Sequence, residues 1–251
     1  MDIMALTHRQ RWAATLAAVP LLAACGGDPG TRPAGAPLAL EQGARLLITT
    51  DNGVRLRPAD DDRAVTDTHV ESSWSHRNGT WILDLSCPGH EEGHAGRPCP
   101  RMPTIGVPAG VPVTVSARNA GIDAVGVSAG MDLTTVNGDV TVTRSGRDDA
   151  AVRLATRNGS VRTGALRSAR LHAETVNGDV TIGSATSPAG LTAVTANGSV
   201  RVALPHDSPA YRTTATTRNG RTSVTVPSPT DGNGHAMALT TVNGDVTAAR
   251  D

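Results

Sequence analysis

The strongest constraint on the fold of this chain is an Asn-Gly dipeptide that recurs about every 20 residues through its second half. The asparagines of the six regularly spaced copies are Asn137, Asn158, Asn177, Asn197, Asn219 and Asn243. A looser copy begins at Asn119, and successive asparagines are 18, 21, 19, 20, 22 and 24 residues apart. Self-similarity at such a period is typical of proteins built from stacked repeats.

The residues on both sides of each Asn-Gly alternate between apolar or β-branched and polar types. A threonine stands two positions before every asparagine: Thr135, Thr156, Thr175, Thr195, Thr217 and Thr241. Leu or Ala stands four positions before each asparagine. Val stands three positions after it, except in the copy of Asn219, where Thr222 takes that position. Alternation with a period of two indicates two short, half-buried strands in each repeat.

Two architectures fit this pattern. Asn-Gly between alternating strands favours β-hairpins, whereas identical residues in whole columns favour a solenoid in which Thr stacks on Thr and Asn on Asn. We therefore predict an all-β fold, a single-stranded β-solenoid of about seven coils of ~20 residues, with a less regular β cap at its N-terminus. The Thr and Asn columns are its structural ladders, and Asn-Gly is its corner.

An aspartate follows the glycine in three copies, at Asp139, Asp179 and Asp245. A row of carboxylates is a possible calcium site, but the nine-residue Gly/Asp period of calcium-binding β-rolls is missing. We expect a solvated corner, and neither a cofactor nor a metal in the chain.

The N-terminus contains the successive parts of a bacterial lipoprotein signal peptide in the right order. Two arginines precede an apolar stretch that ends in Leu-Ala-Ala-Cys, with the cysteine at Cys25. Residues 1–24 are predicted to be a signal peptide, Cys25 to carry the lipid, and residues 25–43 to be a Gly/Pro-rich flexible tether. The domain 44–251 is then held at the extracytoplasmic face of the membrane by the lipid alone.

Cys87 and Cys99 are the remaining cysteines and bracket a Gly/Pro-rich loop. An exported chain with two free cysteines is expected to pair them in a disulfide. The alternative is a zinc site, because His90 and His94 lie between them in a C-x2-H-x3-H-x4-C pattern.

Residues 44–105 follow the repeat less regularly and are predicted to form the cap, with Trp74 and Trp81 closing the end of the solenoid. A tryptophan platform for sugars is the functional alternative.

Charge and motifs exclude several functions. The 23 basic residues, all arginines, balance 23 acidic residues, and no clustered basic face is present to bind nucleic acid. Gly126–Gly130 matches G-x-S-x-G around Ser128, but a nucleophile elbow requires a helix after the turn, and none is expected there. We predict no enzyme activity. The alternative is an enzyme acting on cell-envelope polysaccharide, which would need two or three carboxylates in one groove.

The lipobox, the cysteine pair, the segment 107–119 and the T-x-N-G-x-V-x-V coils together resemble the bacterial putative-adhesin β-strand-repeat family, in particular lipoproteins of high-GC Gram-positive bacteria. The resemblance covers residues 44–251. It implies a right-handed β-solenoid on the cell surface with no established activity; His90 and His94 are not carried over from it. The function expected is a non-catalytic surface lipoprotein that contacts a protein or a cell-wall polymer, as an adhesin-like or structural module.

Overall fold

The computed structural model describes residues 38–40, 43–60, 63–66, 72–85, 102–230 and 234–251. These residues form strands, turns and loops and contain no helix, so the all-β prediction is confirmed. Cys25, Cys87, Cys99, His90 and His94 lie outside these residues.

Nothing helical in the described ranges is long and apolar enough to cross a membrane.

Most of the strands are short, as expected of coils that turn every few residues. Their bounds are β1 (Leu38–Ala39), β2 (Arg45–Thr49), β3 (Val54–Pro58), β4 (Arg63–Thr66), β5 (Ser73–Arg77), β6 (Thr80–Asp84), β7 (Thr104–Val107), β8 (Val113–Ser116), β9 (Ile122–Val125), β10 (Met131–Thr134), β11 (Val140–Thr143), β12 (Gly146–Ala155), β13 (Val161–Glu174), β14 (Val180–Ser184), β15 (Gly190–Val194), β16 (Val200–Leu204), β17 (Tyr211–Asn219), β18 (Thr222–Val224), β19 (His235–Asn243) and β20 (Val246–Arg250).

The strands form two curved faces of one continuous sheet. Sheet I has the order β5–β6–β2–β8–β10–β12–β13–β15–β19–β17. Sheet II has the order β1–β4–β7–β3–β9–β11–β13–β14–β16–β20–β18. The long strand β13 contributes its first half to sheet II and its second half to sheet I. Pairing is parallel except for the antiparallel contacts of β1, β4 and β5, which lie at the N-terminal end of the stack.

The core lies between the two sheets. Residues at alternate positions point into it, so that equivalent positions of successive coils form columns. One such column, in stacking order, is Leu133, Leu154, Ala173, Ala193, Leu239 and Ala215. The first five are fully buried, and Ala215 in the last strand is partly buried. Strict alternation therefore produces one continuous core along the stack.

The order of the coils in the stack departs from chain order at both ends. At the N-terminal end, β2 and β3 lie inside β6 and β7 and pair directly with β8 and β9. At the C-terminal end, β19 and β20 insert between β15–β16 and β17–β18. A solenoid stacked in chain order would have placed β17 and β18 in that position.

Burial explains the insertion at the C-terminal end. The inward positions of β19 and β20 carry Met237, Leu239 and Val246, all buried. The matching positions of the end coil carry Thr213, Ala215 and Thr222, of which Thr222 is exposed. The more apolar coil is therefore covered on both sides, and the more polar coil lies at the solvent-facing end, as terminal repeats do in stacked proteins.

The N-terminal end is covered by the β5–β6 hairpin. Trp74 on β5 is buried in the core. Trp81 on β6 is partly buried and stacks on the ring of His76, with ring centroids 4.5 Å apart. One tryptophan thus packs in the cap, and the other presents a surface that is already occupied by an imidazole.

Candidate functional site

The Asn-Gly corners form a hydrogen-bonded ladder along one edge of the stack. Each asparagine Nδ2 donates to the Oδ1 of the asparagine in the preceding coil, at 2.9 Å for the pairs from Asn158 to Asn137, from Asn177 to Asn158 and from Asn197 to Asn177. The ladder continues through Asn243 and ends at Asn219, at 2.8 and 2.7 Å. The side-chain amides thus satisfy one another's hydrogen-bonding groups, so the polar groups of this row have a structural role.

The buried threonines fix the same corners from inside. Thr175 Oγ1 donates to the backbone oxygen of Gly159 at 2.8 Å, and the equivalent bond occurs from Thr156 to Gly138 and from Thr195 to Gly178. Gly178 has a φ of 147°, and a Cβ there would lie 2.1 Å from the Gly159 oxygen. Glycine is therefore required by the close approach of successive coils as well as by its φ.

The residue after each glycine alternates in charge along the stack. In spatial order the row is Asp139, Ser160, Asp179, Ser199, Asp245 and Arg221. All three carboxylates, of Asp139, Asp179 and Asp245, accept a hydrogen bond from the backbone N–H of the next coil, at 2.7, 2.8 and 2.9 Å. The spacing keeps like charges two coils apart and places Asp245 next to Arg221.

Asp139 shows how the row is stabilised. Burial alone would raise the pKa of its carboxyl, but the Ser160 N–H and the Arg162 guanidinium outweigh burial and hold this pKa below its usual value. Arg162 Nη1 lies 2.5 Å from Asp139 Oδ2. The carboxylate oxygens are thus engaged by protein groups, which leaves less of their capacity for a calcium ion.

The repeating unit of the stack is a pair of coils. The segments 134–142, 174–182 and 240–248, which contain T-V-N-G-D-V, occupy alternate layers. The layers between them carry Asn158 and Asn197, each followed by Gly-Ser, and the end layer beyond Asn243 carries Asn219, followed by Gly-Arg. This alternation is continuous along the stack because the coil of Asn243 is inserted before that of Asn219.

A depression in the described surface lies on the outer face of sheet I. Its volume is about 760 Å³. Its floor is the row Thr114, Asp132, Arg153, His172 and Thr192, one residue from each of β8, β10, β12, β13 and β15. Five strands spaced by about 4.8 Å make a groove roughly 19 Å long that runs along the stack. We call it the sheet I groove.

Several charged side chains line this groove, and most of them form ion pairs. Arg153 bridges two carboxylates: its Nη1 lies 3.4 Å from Asp132 Oδ1, and its Nη2 donates to Glu174. His172 Nε2 lies 3.2 Å from the other Glu174 oxygen. Arg170 also lines the groove, is exposed, and has no ion-pair partner among the described residues. The groove therefore offers one uncommitted guanidinium beside a network in which one guanidinium binds two carboxylates.

The segment 144–151 forms one wall of the sheet I groove and separates it from a second cavity of about 430 Å³. Arg147 lines both spaces and binds Asp149 with its Nε and Nη2, at 3.0 and 2.7 Å. The hydrogen bond to Arg147 lowers the pKa of Asp149, and the same contact raises the pKa of Arg147. Arg144 has a φ of 47°, a left-handed conformation that is uncommon outside glycine.

Ser128 of the G-x-S-x-G match lines this second cavity. Its segment is the bend between β9 and β10, and no helix follows it. Asp148, an acidic residue of the same lining, is bound by Arg167 through its Nε and Nη2. The geometry of a nucleophile elbow is therefore missing at this serine.

The predicted site residues and the groove lie on different parts of the molecule. The structure brings the six Thr-Asn pairs together in one ladder, but the ladder contributes nothing to the sheet I groove. The groove residues were not singled out from the sequence. Their only signal is that Asp132, Arg153 and His172 occupy the same outward position, five residues before the corner asparagine.

Comparison with known proteins identifies the family of this chain. The Toastrack DUF4097 family matches residues 113–249, more than half of the chain. The chain belongs to this family. Its toastrack fold agrees with the curled parallel sheet seen here. No curated protein matches the chain significantly.

Two solved structures align along most of the chain. One is described as a "putative cell adhesion protein" from Clostridium sporogenes ATCC 15579, with 12% identity, a TM-score of 0.40, and coverage of 88% of this chain and 100% of that one. The other is a "putative adhesin" from Bacteroides fragilis NCTC 9343, with 13% identity, a TM-score of 0.46, and coverage of 88% and 99%. The family assignment rests on the match over residues 113–249.

Proposed function

We propose that this toastrack protein is a lipid-anchored, non-catalytic surface protein that binds an extended, anionic cell-wall polymer in the sheet I groove. The observation that carries this proposal is the groove itself, a charged channel across five strands with Arg170 uncommitted on its lining. An extended polymer fits a channel that is long and open, and a guanidinium binds carboxylate or phosphate groups with paired hydrogen bonds.

The rigidity of the stack supports binding without closure. Backbone ladders and the Asn row connect every coil to its neighbours, so outward side chains are held at a constant spacing. A preorganised surface loses little conformational entropy when a repetitive ligand binds, which favours affinity. The proposal includes a right-handed stack of about seven regular coils and a Cys87–Cys99 disulfide.

Co-sedimentation with isolated bacterial cell walls tests the groove. Arg170→Ala should weaken binding by about tenfold, since it removes one charge-assisted contact. The matched control is Arg157→Ala, because Arg157 is also exposed and without an ion-pair partner among the described residues, but lies at the corner. Walls stripped of anionic polymers should lose binding, and protease-treated walls should keep it. Loss on protease treatment would instead indicate a protein partner.

Fractionation tests the anchor. Cys25→Ala should release the protein into the medium or leave it unprocessed, because the lipid is its proposed tie to the membrane. Wild-type amounts of the variant in the membrane fraction would refute lipid anchoring.

An enzyme acting on polysaccharide is the second candidate, and one observation favours it. Asp132 and Glu174 bind the same guanidinium in the groove, so their carboxylates lie within the separation used by glycosidases, about 10 Å or less. Against it, both carboxylates are already bound to the Arg153 guanidinium. Release of sugars from cell walls by the wild type, abolished by Glu174→Gln, would establish the enzyme.

A further inference from the structure

We propose that Asn219 is a site of spontaneous deamidation at the open end of the stack, and that the ladder protects the other corner asparagines from the same reaction. Asn-Gly is the dipeptide in which this reaction meets least steric hindrance, because the glycine has no side chain to shield its nitrogen. This chain repeats the dipeptide at six corners, so the protection of each corner matters.

The reaction needs the glycine nitrogen to reach the asparagine side chain. The backbone nitrogen of the glycine loses its proton to solvent base and bonds to Asn Cγ, and the bond from Cγ to Nδ2 breaks as ammonia leaves. Water then opens the cyclic imide at either carbonyl, which gives aspartate or isoaspartate. A glycine N–H that is held in a hydrogen bond, together with an amide side chain fixed on both sides, hinders the first step.

Five corners have the glycine nitrogen held. The N–H of Gly138, Gly159, Gly178, Gly198 and Gly244 each donates to the backbone oxygen of the asparagine in the next coil, at 2.8 to 2.9 Å. In the four interior layers, at Asn158, Asn177, Asn197 and Asn243, the asparagine side chain both donates to one neighbour and accepts from the other. Attack there requires the ladder to open first.

The sixth corner lacks both restraints. Asn219 and Gly220 are exposed and lie in the last coil of the stack, beyond which the described residues contain no further strand. The Gly220 N–H has no acceptor among the described residues. Asn219 keeps one side-chain bond, from its Nδ2 to Asn243 Oδ1 at 2.7 Å. Deamidation there removes that donor and places a new negative charge next to Asn243.

Site-resolved mass spectrometry tests the proposal on the folded protein. The protein is held at mildly alkaline pH below its melting temperature, sampled over time, and digested with pepsin in acid, which stops further reaction. The same series in denaturant gives the intrinsic rate of each site. After this normalisation, Asn219 should react more than about tenfold faster than Asn177, because only the interior site needs local opening.

Asn243 separates this explanation from simple fraying of the C-terminus. Asn243 lies nearer the end of the chain but is inserted within the stack, so it should react slowly despite its position. Equal normalised rates at Asn219 and Asn177, or faster reaction at Asn243 than at Asn219, would overturn the proposal.

Discussion

Asn243 lies directly against Asn197 in the stack, with its Nδ2 2.8 Å from the Asn197 Oδ1, although 46 residues separate them. Asn219, which comes between them in the chain, is outside Asn243. The coil that comes last among the described residues is therefore an interior coil of the stack. β17 and β18 gain their parallel partners only when β19 and β20 have inserted.

The interior threonines and the corner aspartates should respond differently to substitution. Thr175 is 5% exposed, and Thr175→Asp would bury a carboxylate among the coils, with a cost on the order of several kcal/mol in the free energy of unfolding. Asp179→Ser should change it by about 0.5 kcal/mol or less, because Ser160 and Ser199 occupy the same row. Thermal unfolding of both variants measures the difference.

A calcium control belongs to the same experiment. The wild-type melting temperature should not change on addition of calcium or of a chelator. A large loss at Asp179→Ser together with a calcium-dependent melting temperature would make the corner a ligand site and contradict its structural role.

The carboxylate of Asp139 should contribute stability that depends on pH. Its pKa is lower in the folded state than in the unfolded state, so the contribution is present above the unfolded value of about 4 and is lost as pH falls through the folded value. Asp139→Asn should lower the melting temperature modestly at neutral pH, with a difference that vanishes in acid. Asp207→Asn is the control, at an exposed aspartate without a side-chain hydrogen bond or ion pair among the described residues. A difference that persists in acid would mean that the charge is not responsible.

Tyr211, the single tyrosine, should titrate only as the fold is lost. Its side chain is fully buried, and its hydroxyl donates to the Pro188 oxygen at 2.8 Å. Burial raises its pKa to about 12, although the Ser187 hydroxyl acts in the opposite direction. Stability linked to this group is therefore full below the unfolded pKa of about 10 and declines as pH rises from there towards 12.

Absorbance of tyrosinate and circular dichroism, recorded together against pH, check this expectation. The two transitions should coincide. Reversible ionisation near pH 10, about the unperturbed value, with an intact fold would contradict the burial of Tyr211. Tyr211→Phe should cost about 1 kcal/mol in the free energy of unfolding through the lost hydrogen bond.

The sequence predicted the all-β class, and its alternation identified the strands on both sides of each Asn-Gly. Local pattern suffices for this because burial on a pleated strand follows a period of two. The place of the coil of Asn243 was not predicted, since periodicity is read along the chain and carries no information on which coil lies next to which.

A signal for the true order does exist in the row after the glycines. In chain order the row ends Ser199, Arg221, Asp245, whereas in the stack Asp245 follows Ser199 and the alternation of Asp and Ser is continuous. The sheet I groove left a weaker signal, because Asp132, Arg153 and His172 become neighbours only through the register of three strands. Packing in the core does not restrict the type of residue at outward-facing positions. Which of these residues form a site together can therefore be recognised only after the fold is known.

Cysteine cross-linking tests the order of the stack most directly, and the position of every surface residue at its C-terminal end depends on that order. Adjacent strands lie about 4.8 Å apart, within the Cα separation of a disulfide, and strands two layers apart lie at about 9.6 Å, beyond it. The double variant Asn197→Cys with Asn243→Cys should therefore form a disulfide under mild oxidation of the folded protein, identified by peptide mapping, whereas Asn197→Cys with Asn219→Cys should not. Efficient cross-linking of residues 197 and 219, with none between 197 and 243, would show that the coils stack in chain order and would contradict the inserted coil.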